Sequence, residues 1–125
     1  ASVITLVRYG DVRMLLMGDA ERPEEDWLLA HEASELHADI LKVGHHGSKT
    51  SSSDTFLAAV RPRLALVSVG AGNKYGLPTP EIMDRLAAGG AQVLRTDRLG
   101  TIVARTDGHR VFVEAGGDQW ELRPR

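Results

Sequence analysis

The chain has 125 residues, of which 42% are hydrophobic and 26% charged, a composition typical of one globular domain and not of a disordered or collagen-like chain. The 15 Lys and Arg against 17 Asp and Glu give a net charge of −2, which excludes a domain-wide basic surface for nucleic acid. Because there is no cysteine, disulfides, thiolate nucleophiles and Cys-ligated zinc are excluded as well.

The beginning of the chain predicts a β-hairpin followed by a helix. Apolar runs at residues 4–7 and 12–17 flank the turn signal Tyr9-Gly10-Asp11. Pro23 lies where the first turn of a helix begins, and the apolar stripe of that helix includes Trp27. The first residues have the pattern of a strand from the interior of a protein, so we expect the chain to be a fragment of a longer protein. No apolar run approaches the ~18 residues of a membrane span.

Strands and helices alternate through the middle of the chain. A short apolar strand at 40–43 leads into the polar loop 44–53, whose last residue is placed to cap a short helix. The clearest strand covers 64–69, and a glycine-rich loop follows it. Thr79 is the predicted N-cap of a helix that extends to Ala88. This alternation predicts an α/β fold.

From residue 93 onward the pattern is that of strands alone, with runs at 93–94, 101–104 and 110–113. We therefore expect one domain over residues 1–125, with residues 123–125 as a frayed tail. Charge is uneven between the halves. Residues 1–60 carry 5 basic and 10 acidic side chains, and the remainder carry 10 and 7, so an anionic partner should favour the second half.

Polar residues follow the predicted strands where these end, with Asp19 after one strand and His45 and His46 after another. Strands joined by single helices run parallel, so their carboxyl ends share one edge of the sheet, where α/β proteins place ligands. We expect the aspartate and the imidazoles to converge there. A carboxylate and an imidazole suit zinc or manganese, whose bound water becomes a source of hydroxide. The alternative is that Asp19 only shapes a turn.

Adjacent histidines point to different sides, so one of His45 and His46 is an easy metal ligand. The other then supports the first or acts as a general acid. The serines between Ser48 and Ser53 could suggest a nucleophile, but no G-x-S-x-G motif is present. Hydroxyls that bind phosphate or cap the next helix fit this stretch better.

Lys49, Lys74 and Tyr75 lie in loops at the same edge and are candidates for holding a phosphodiester backbone, with Tyr75 offering a stacking face. Solvent-exposed loop cations without a ligand are the alternative.

Several segments in this order resemble the metallo-β-lactamase-like domain of the ComEC family of bacterial competence proteins. The similarity covers roughly residues 2–106. The matching segments are Gly18-Asp19-Ala20-Glu21, residues 38–51 with the Gly44-His45-His46-Gly47-Ser48 motif, Ser68-Val69-Gly70, residues 73–76 and 78–81, Arg95-Thr96-Asp97, and Gly100-Thr101-Ile102.

The resemblance implies an α/β fold, the second half of a metallo-β-lactamase-like αββα sandwich, with a mixed sheet and helices on one face. It implies a metal-dependent phosphodiesterase or nuclease that degrades the DNA strand not imported, on the outer side of the bacterial membrane and within a membrane protein. Asp19 would be the bridging and catalytic metal ligand, with His45 as the histidine ligand. His46 would be catalytic or the competing ligand, and Ser48, Lys49 and Thr50 would line the substrate side. Zinc or manganese, two ions in the intact domain, is the implied cofactor.

Two departures from the family pattern accompany the resemblance. The H-x-H-x-D-H segment that supplies most of the metal ligands is absent, and Leu77 stands where relatives often have the histidine of Y-G-H-P. We therefore expect weak metal binding and poor DNA hydrolysis from the chain alone. A non-catalytic DNA-binding or structural module is the alternative function, and hydrolysis of another ester is a third. A sheet face built to meet a missing half should expose an apolar patch and favour a homodimer.

Overall fold

The computed structural model describes residues 3–70, 72–73 and 75–124. These residues form eight strands and four α-helices. In chain order they are β1 (Thr5–Tyr9), β2 (Val12–Leu16), α1 (Arg22–His31), β3 (Ile40–Lys42), α2 (Asp54–Val60), β4 (Leu64–Val67), α3 (Pro80–Ala88), β5 (Gln92–Arg95), α4 (Thr96–Leu99), β6 (Ile102–Thr106), β7 (Val111–Ala115) and β8 (Asp118–Leu122). Single 3₁₀ turns lie at Ala33–Glu35 and Gly44–Gly47. Within the described ranges no helix has the length and apolar character needed to cross a bilayer.

The strands form a five-stranded mixed sheet, in the order β1-β2-β3-β4-β5, and a three-stranded antiparallel sheet, β6-β7-β8. β1 and β2 pair antiparallel as the predicted hairpin, whereas β2, β3, β4 and β5 run parallel. The prediction of an α/β fold with a mixed sheet is therefore confirmed. The parallel order brings the carboxyl ends of β2, β3 and β4 to one rim.

Two apolar cores lie on opposite faces of the five-stranded sheet. On the helix side, Leu41 of β3 packs with Phe56 and Ile82 of the helices, and all three are fully buried. On the other side, Ile40 and Leu64 face Val113 of the second sheet. A strand with both faces covered reads as an apolar run rather than as an alternation.

The expectation that one face of the sheet is exposed is wrong for β2–β5, because the three-stranded sheet covers that face. The strongly alternating pattern of β7 supplies this cover, with Val111, Val113 and Ala115 inward. Exposed apolar side chains remain at the start of the chain, where Val7 and Tyr9 of β1 are 46% and 58% exposed. The predicted homodimer stays a prediction.

Local signals of the sequence explain most element boundaries. Ser53 caps α2 by accepting a hydrogen bond from the backbone N–H of Phe56 at 3.2 Å. α1 has proline in its first turn but ends at His31, and its Trp27 is 54% exposed rather than part of a buried stripe. Trp27 instead stacks on His31 with ring centroids 4.4 Å apart. Strand β8 and the single turn of α4 were not predicted.

Hairpin turns of the two sheets meet at the end of the sandwich opposite the rim. The N–H of Asp11 donates to the carbonyl oxygen of Gly108 at 2.6 Å. Gly10 has a φ of 58°, and a Cβ at this position would lie 2.3 Å from the same oxygen. Only glycine permits this approach of two backbones.

Candidate functional site

The rim gathers residues that follow three parallel strands. Asp19 follows β2, the His45-His46 pair follows β3, and Ser68 follows β4. The Nε2 atom of His46 lies 3.5 Å from Oδ1 of Asp19, and both side chains are more than half exposed. The structure thus brings the predicted aspartate together with one imidazole at a common edge.

The orientation of the His46 ring is set by the end of β4. Its Nδ1 atom lies 2.7 Å from the carbonyl oxygen of Ser68. Since a carbonyl only accepts, Nδ1 carries the proton, and in the neutral ring the lone pair is on Nε2, which faces Asp19. Metal-binding histidines are commonly held in this way, with the second nitrogen donating to a backbone carbonyl.

His45 turns to a different carboxylate. Its Nδ1 atom lies 3.4 Å from Oε1 of Glu21, and this nitrogen is buried without a hydrogen bond. The Thr50 hydroxyl donates to the same Glu21 oxygen at 2.5 Å. The two imidazole centroids are 6.5 Å apart. The site therefore contains two His–carboxylate pairs, and it is His46 rather than His45 that lies beside Asp19.

The turn Gly44–Gly47 holds both histidines in the left-handed region, with φ of 48° at His45 and 53° at His46. This conformation is costly for residues with a Cβ and persists only where the surroundings enforce it. A Cβ on Gly44 would lie 2.6 Å from the carbonyl oxygen of Ala20, and one on Gly47 would lie 2.5 Å from Cβ of Pro78. The glycines let the turn sit against neighbouring backbone.

Hydrogen bonds from three directions fix this turn. The N–H of His45 donates to the carbonyl of Gly18 at 3.0 Å, and the N–H of Thr79 donates to that of Gly47 at 3.0 Å. The Ser51 hydroxyl is within 2.9 Å of the Gly44 carbonyl oxygen.

Thr79, predicted as a side-chain cap of α3, occupies the N-cap position without a side-chain capping bond.

Glu25 of α1 supports the segment that follows the turn. It is only 1% exposed, and it accepts hydrogen bonds from the backbone N–H groups of Ser52 and Ser53, the latter at 2.9 Å. Burial raises the pKa of the Glu25 carboxyl despite these bonds, which act in the opposite direction. The sequence offers no signal for this contact, because nothing local distinguishes Glu25 from its neighbour Glu24.

Lys42, the last residue of β3, is a cation at the rim that the sequence analysis passed over. Its side chain is partly buried, and burial lowers the pKa of the ammonium while the Asp19 carboxylate opposes that shift. No carboxylate of the described residues lies within 4 Å of it. A single lysine within the apolar run Ile40-Leu41-Lys42-Val43 was the available signal.

The predicted substrate-side residues lie around the two pairs. The hydroxyl oxygens of Ser48 and Thr50 are 2.9 Å apart, and Thr50 also contacts Glu21. Lys49 is exposed beside them, and Tyr75 is 73% exposed on the loop after β4. Lys74 lies outside the described residues.

Asp19 and His46 offer one oxygen and one nitrogen donor, a set that suits zinc or manganese as part of a larger coordination shell. Across residues 3–70, 72–73 and 75–124, no three His, Asp or Glu side chains come together as a metal site. Among the described residues the pair thus supplies two donor atoms without a third His, Asp or Glu beside them.

No protein-family model matches the chain. The chain is similar to Competence protein ComA of Neisseria gonorrhoeae, with 39% identity over 101 residues, which is 81% of this chain and 15% of that protein. It is 35% identical to ComE operon protein 3 of Bacillus subtilis over 105 residues, 84% of this chain and 13% of the relative. It is 42% identical to Recombination protein 2 of Haemophilus influenzae over 85 residues, 68% of this chain and 10% of that protein. The chain thus spans 10 to 15% of the length of these relatives.

Proposed function

This chain belongs to the ComEC family of competence proteins and matches one segment of its longer members. We propose that it is part of a metal-dependent nuclease domain acting in DNA uptake. In this proposal the domain has the metallo-β-lactamase-like fold and degrades the strand that is not imported. The observation that carries the proposal is the Asp19–His46 pair, in which the imidazole presents Nε2 to a carboxylate while Nδ1 is tied to Ser68.

Asp19 and His46 are the residues that would hold the divalent cation. A bound zinc or manganese ion lowers the pKa of its water and neutralises charge on a phosphate. The tether to Ser68 fixes the ring before any ligand arrives, so no ordering of the imidazole is needed at binding. The proposal therefore gives the ligand role to His46, whereas the family resemblance alone favours His45.

The Glu21–His45 pair lies one side chain away from that cation position. We propose that His45 handles a proton there, because its Nδ1 lies 3.4 Å from Oε1 of Glu21. Lys42 and Lys49 supply positive charge for the phosphodiester backbone on the same rim. Ser48 and Thr50 hydroxyls add donors beside them.

The relatives are several times longer than this chain. In this proposal, activity therefore also requires residues that the chain does not contain. The domain would lie on the extracytoplasmic side of the membrane as part of a membrane protein, with DNA and the rest of that protein as its partners.

A non-catalytic DNA-binding or structural module is the second candidate. The observation that favours it is the small donor set, together with leucine at position 77, which neither binds metal nor transfers a proton. In that case the strained turn would be a remnant that shapes a binding surface.

The test is Mn²⁺-dependent cleavage of labelled single- and double-stranded DNA by the longer protein, comparing Asp19→Ala, His46→Ala and His45→Ala with wild type. We expect the first two changes to abolish cleavage, at least 100-fold, and His45→Ala to lower it about tenfold or more while leaving metal binding intact. Full activity in Asp19→Ala would show that cleavage does not use this pair, and a wild type that binds DNA without cleaving it would support the second candidate.

A further inference from the structure

The loop after β4 is fixed by one asparagine. The side-chain amide of Asn73 donates to the carbonyls of Gly70 at 3.3 Å and Leu77 at 2.7 Å. Its carbonyl oxygen accepts from the N–H groups of Tyr75 at 3.2 Å and Leu77 at 2.9 Å. A single side chain thus joins the two ends of the loop through four hydrogen bonds, and Tyr75 between those ends is 73% exposed.

This loop and the turn Gly44–Gly47, which we call the histidine turn, enclose a shallow cleft of about 160 Å³. It is lined by His46, Val69, Gly70, Asn73, Tyr75 and Leu77. Drug-sized ligands generally need roughly 300 Å³ or more, so this cleft suits a single planar ring. Because it includes His46, it adjoins the Asp19–His46 pair directly.

The chemistry of the lining favours stacking over hydrogen-bonded recognition. The amide of Asn73 is already engaged by backbone groups, and Val69 and Leu77 are apolar. An exposed tyrosine ring beside an apolar wall is the arrangement with which proteins bind bases without regard to sequence. Lys42 and Lys49 flank the turn Gly44–Gly47 in the chain, and their positive charge suits the phosphate attached to such a base.

We infer that this cleft receives one unstacked nucleobase of single-stranded DNA, stacked on Tyr75, and so places the adjoining phosphodiester at the Asp19–His46 pair. The inference takes DNA as the ligand from the proposed function. A base within a duplex is stacked on both sides and cannot enter, so the cleft selects single strands or frayed ends. Among the described lining residues the one side-chain amide, that of Asn73, is occupied by backbone groups, so the binding depends on stacking rather than on that amide reading a base edge.

The test measures binding of a fluorescent oligothymidylate and of an abasic oligonucleotide of equal length to the 125-residue chain, by anisotropy, in EDTA. We expect the wild type to bind the base-containing strand roughly tenfold more tightly, the size of one stacking contact. Tyr75→Ala should abolish the difference between the two strands, and Tyr75→Phe should retain it. Tyr9→Ala, which removes another exposed tyrosine on β1, is the matched control and should behave as wild type.

Equal affinity of the wild type for both strands would overturn the inference, as would a Tyr75→Ala variant that still discriminates between them. Because the measurement contains no metal, it does not depend on cleavage. If the longer protein has no nuclease activity but the chain still binds the base-containing strand more tightly, the proposed nuclease is refuted and the base cleft is retained. If the longer protein cleaves DNA but the chain binds both strands equally, the base cleft is refuted and the proposed nuclease is retained.

Discussion

Nε2 of His46 lies 3.5 Å from Oδ1 of Asp19, although the two residues are 27 positions apart in the chain. Parallel pairing of β2 with β3 creates this proximity, because both side chains follow the carboxyl end of their strand. The same pairing places His45 beside Glu21 instead. Two adjacent histidines therefore have separate carboxylates and separable roles.

Metal affinity should distinguish the two histidines. We expect His46→Gln and Asp19→Asn to lower the affinity of the chain for Mn²⁺ at least tenfold, because each removes one of two donors, and His45→Gln to lower it less than threefold. The loss of the free-Mn²⁺ EPR signal on titration measures this. Wild-type binding should itself be weak, since the chain contributes a partial ligand set. A larger effect of His45→Gln would return the ligand role to His45.

Gly47→Ala should disrupt the histidine turn. A Cβ there would meet Cβ of Pro78 at 2.5 Å on a backbone with φ of 81°, so the loop or the proline must move. We expect a loss of about 1–3 kcal/mol in the free energy of unfolding by urea denaturation. Gly89→Ala is the control, because a Cβ there has no neighbour closer than 3.5 Å and should change stability by less than about 0.5 kcal/mol.

Lys42→Met should stabilise the fold while weakening DNA binding. Burial disfavours the charged ammonium, as its lowered pKa indicates, so removing the charge should raise the free energy of unfolding. DNA affinity should fall and its dependence on salt should decrease by about one counterion. Lys49→Met, on an exposed side chain of the same rim, should leave stability unchanged. A Lys42→Met variant that is both less stable and equally tight for DNA would contradict this prediction.

Glu25 should give the stability a characteristic pH dependence. Because burial raises its pKa above the ordinary 4.5, the folded state binds the proton more readily than the unfolded chain. The stability of wild type relative to Glu25→Gln should therefore fall as the pH rises from about 4.5 through the raised pKa, and be constant above it. Urea unfolding at a series of pH values measures the difference.

The same variant should be less stable at every pH in this series. Ser52 and Ser53 donate to different oxygens of Glu25, and the amide nitrogen of glutamine cannot accept one of these bonds. An unpaired buried donor costs about 1–3 kcal/mol. A Glu25→Gln variant as stable as wild type would show that the segment does not depend on this carboxylate.

The sequence predicted the elements whose signals are local. The β1–β2 turn, the Ser53 cap and the end of α3 at Ala88 depend on neighbouring residues, and the structure contains each of them. The meeting of Asp19 with an imidazole followed from the parallel order of strands. Strand β8 was missed, since its run Asp118-Gln119-Trp120-Glu121-Leu122 is mostly polar and packs only one face.

The pairing of each histidine could not be predicted in the same way. It depends on the left-handed turn and on the carbonyl of Ser68, which reaches His46 only after β4 has paired with β3. The cover of the central sheet by β6–β8 was likewise missed, because strand periodicity shows which residues are inward and not which sheet they face. Long-range contacts of this kind leave no mark on neighbouring residues.

The backbone contact between Asp11 and Gly108 has a consequence for how this architecture diversifies. It fastens the two layers at their base and sets the spacing between them independently of whatever occupies the opposite end. Substitutions in the loops there, such as the one containing Leu77, should therefore leave the contact between the layers in place. The chemistry of the rim can then be altered by mutagenesis without disturbing the far end of the sandwich.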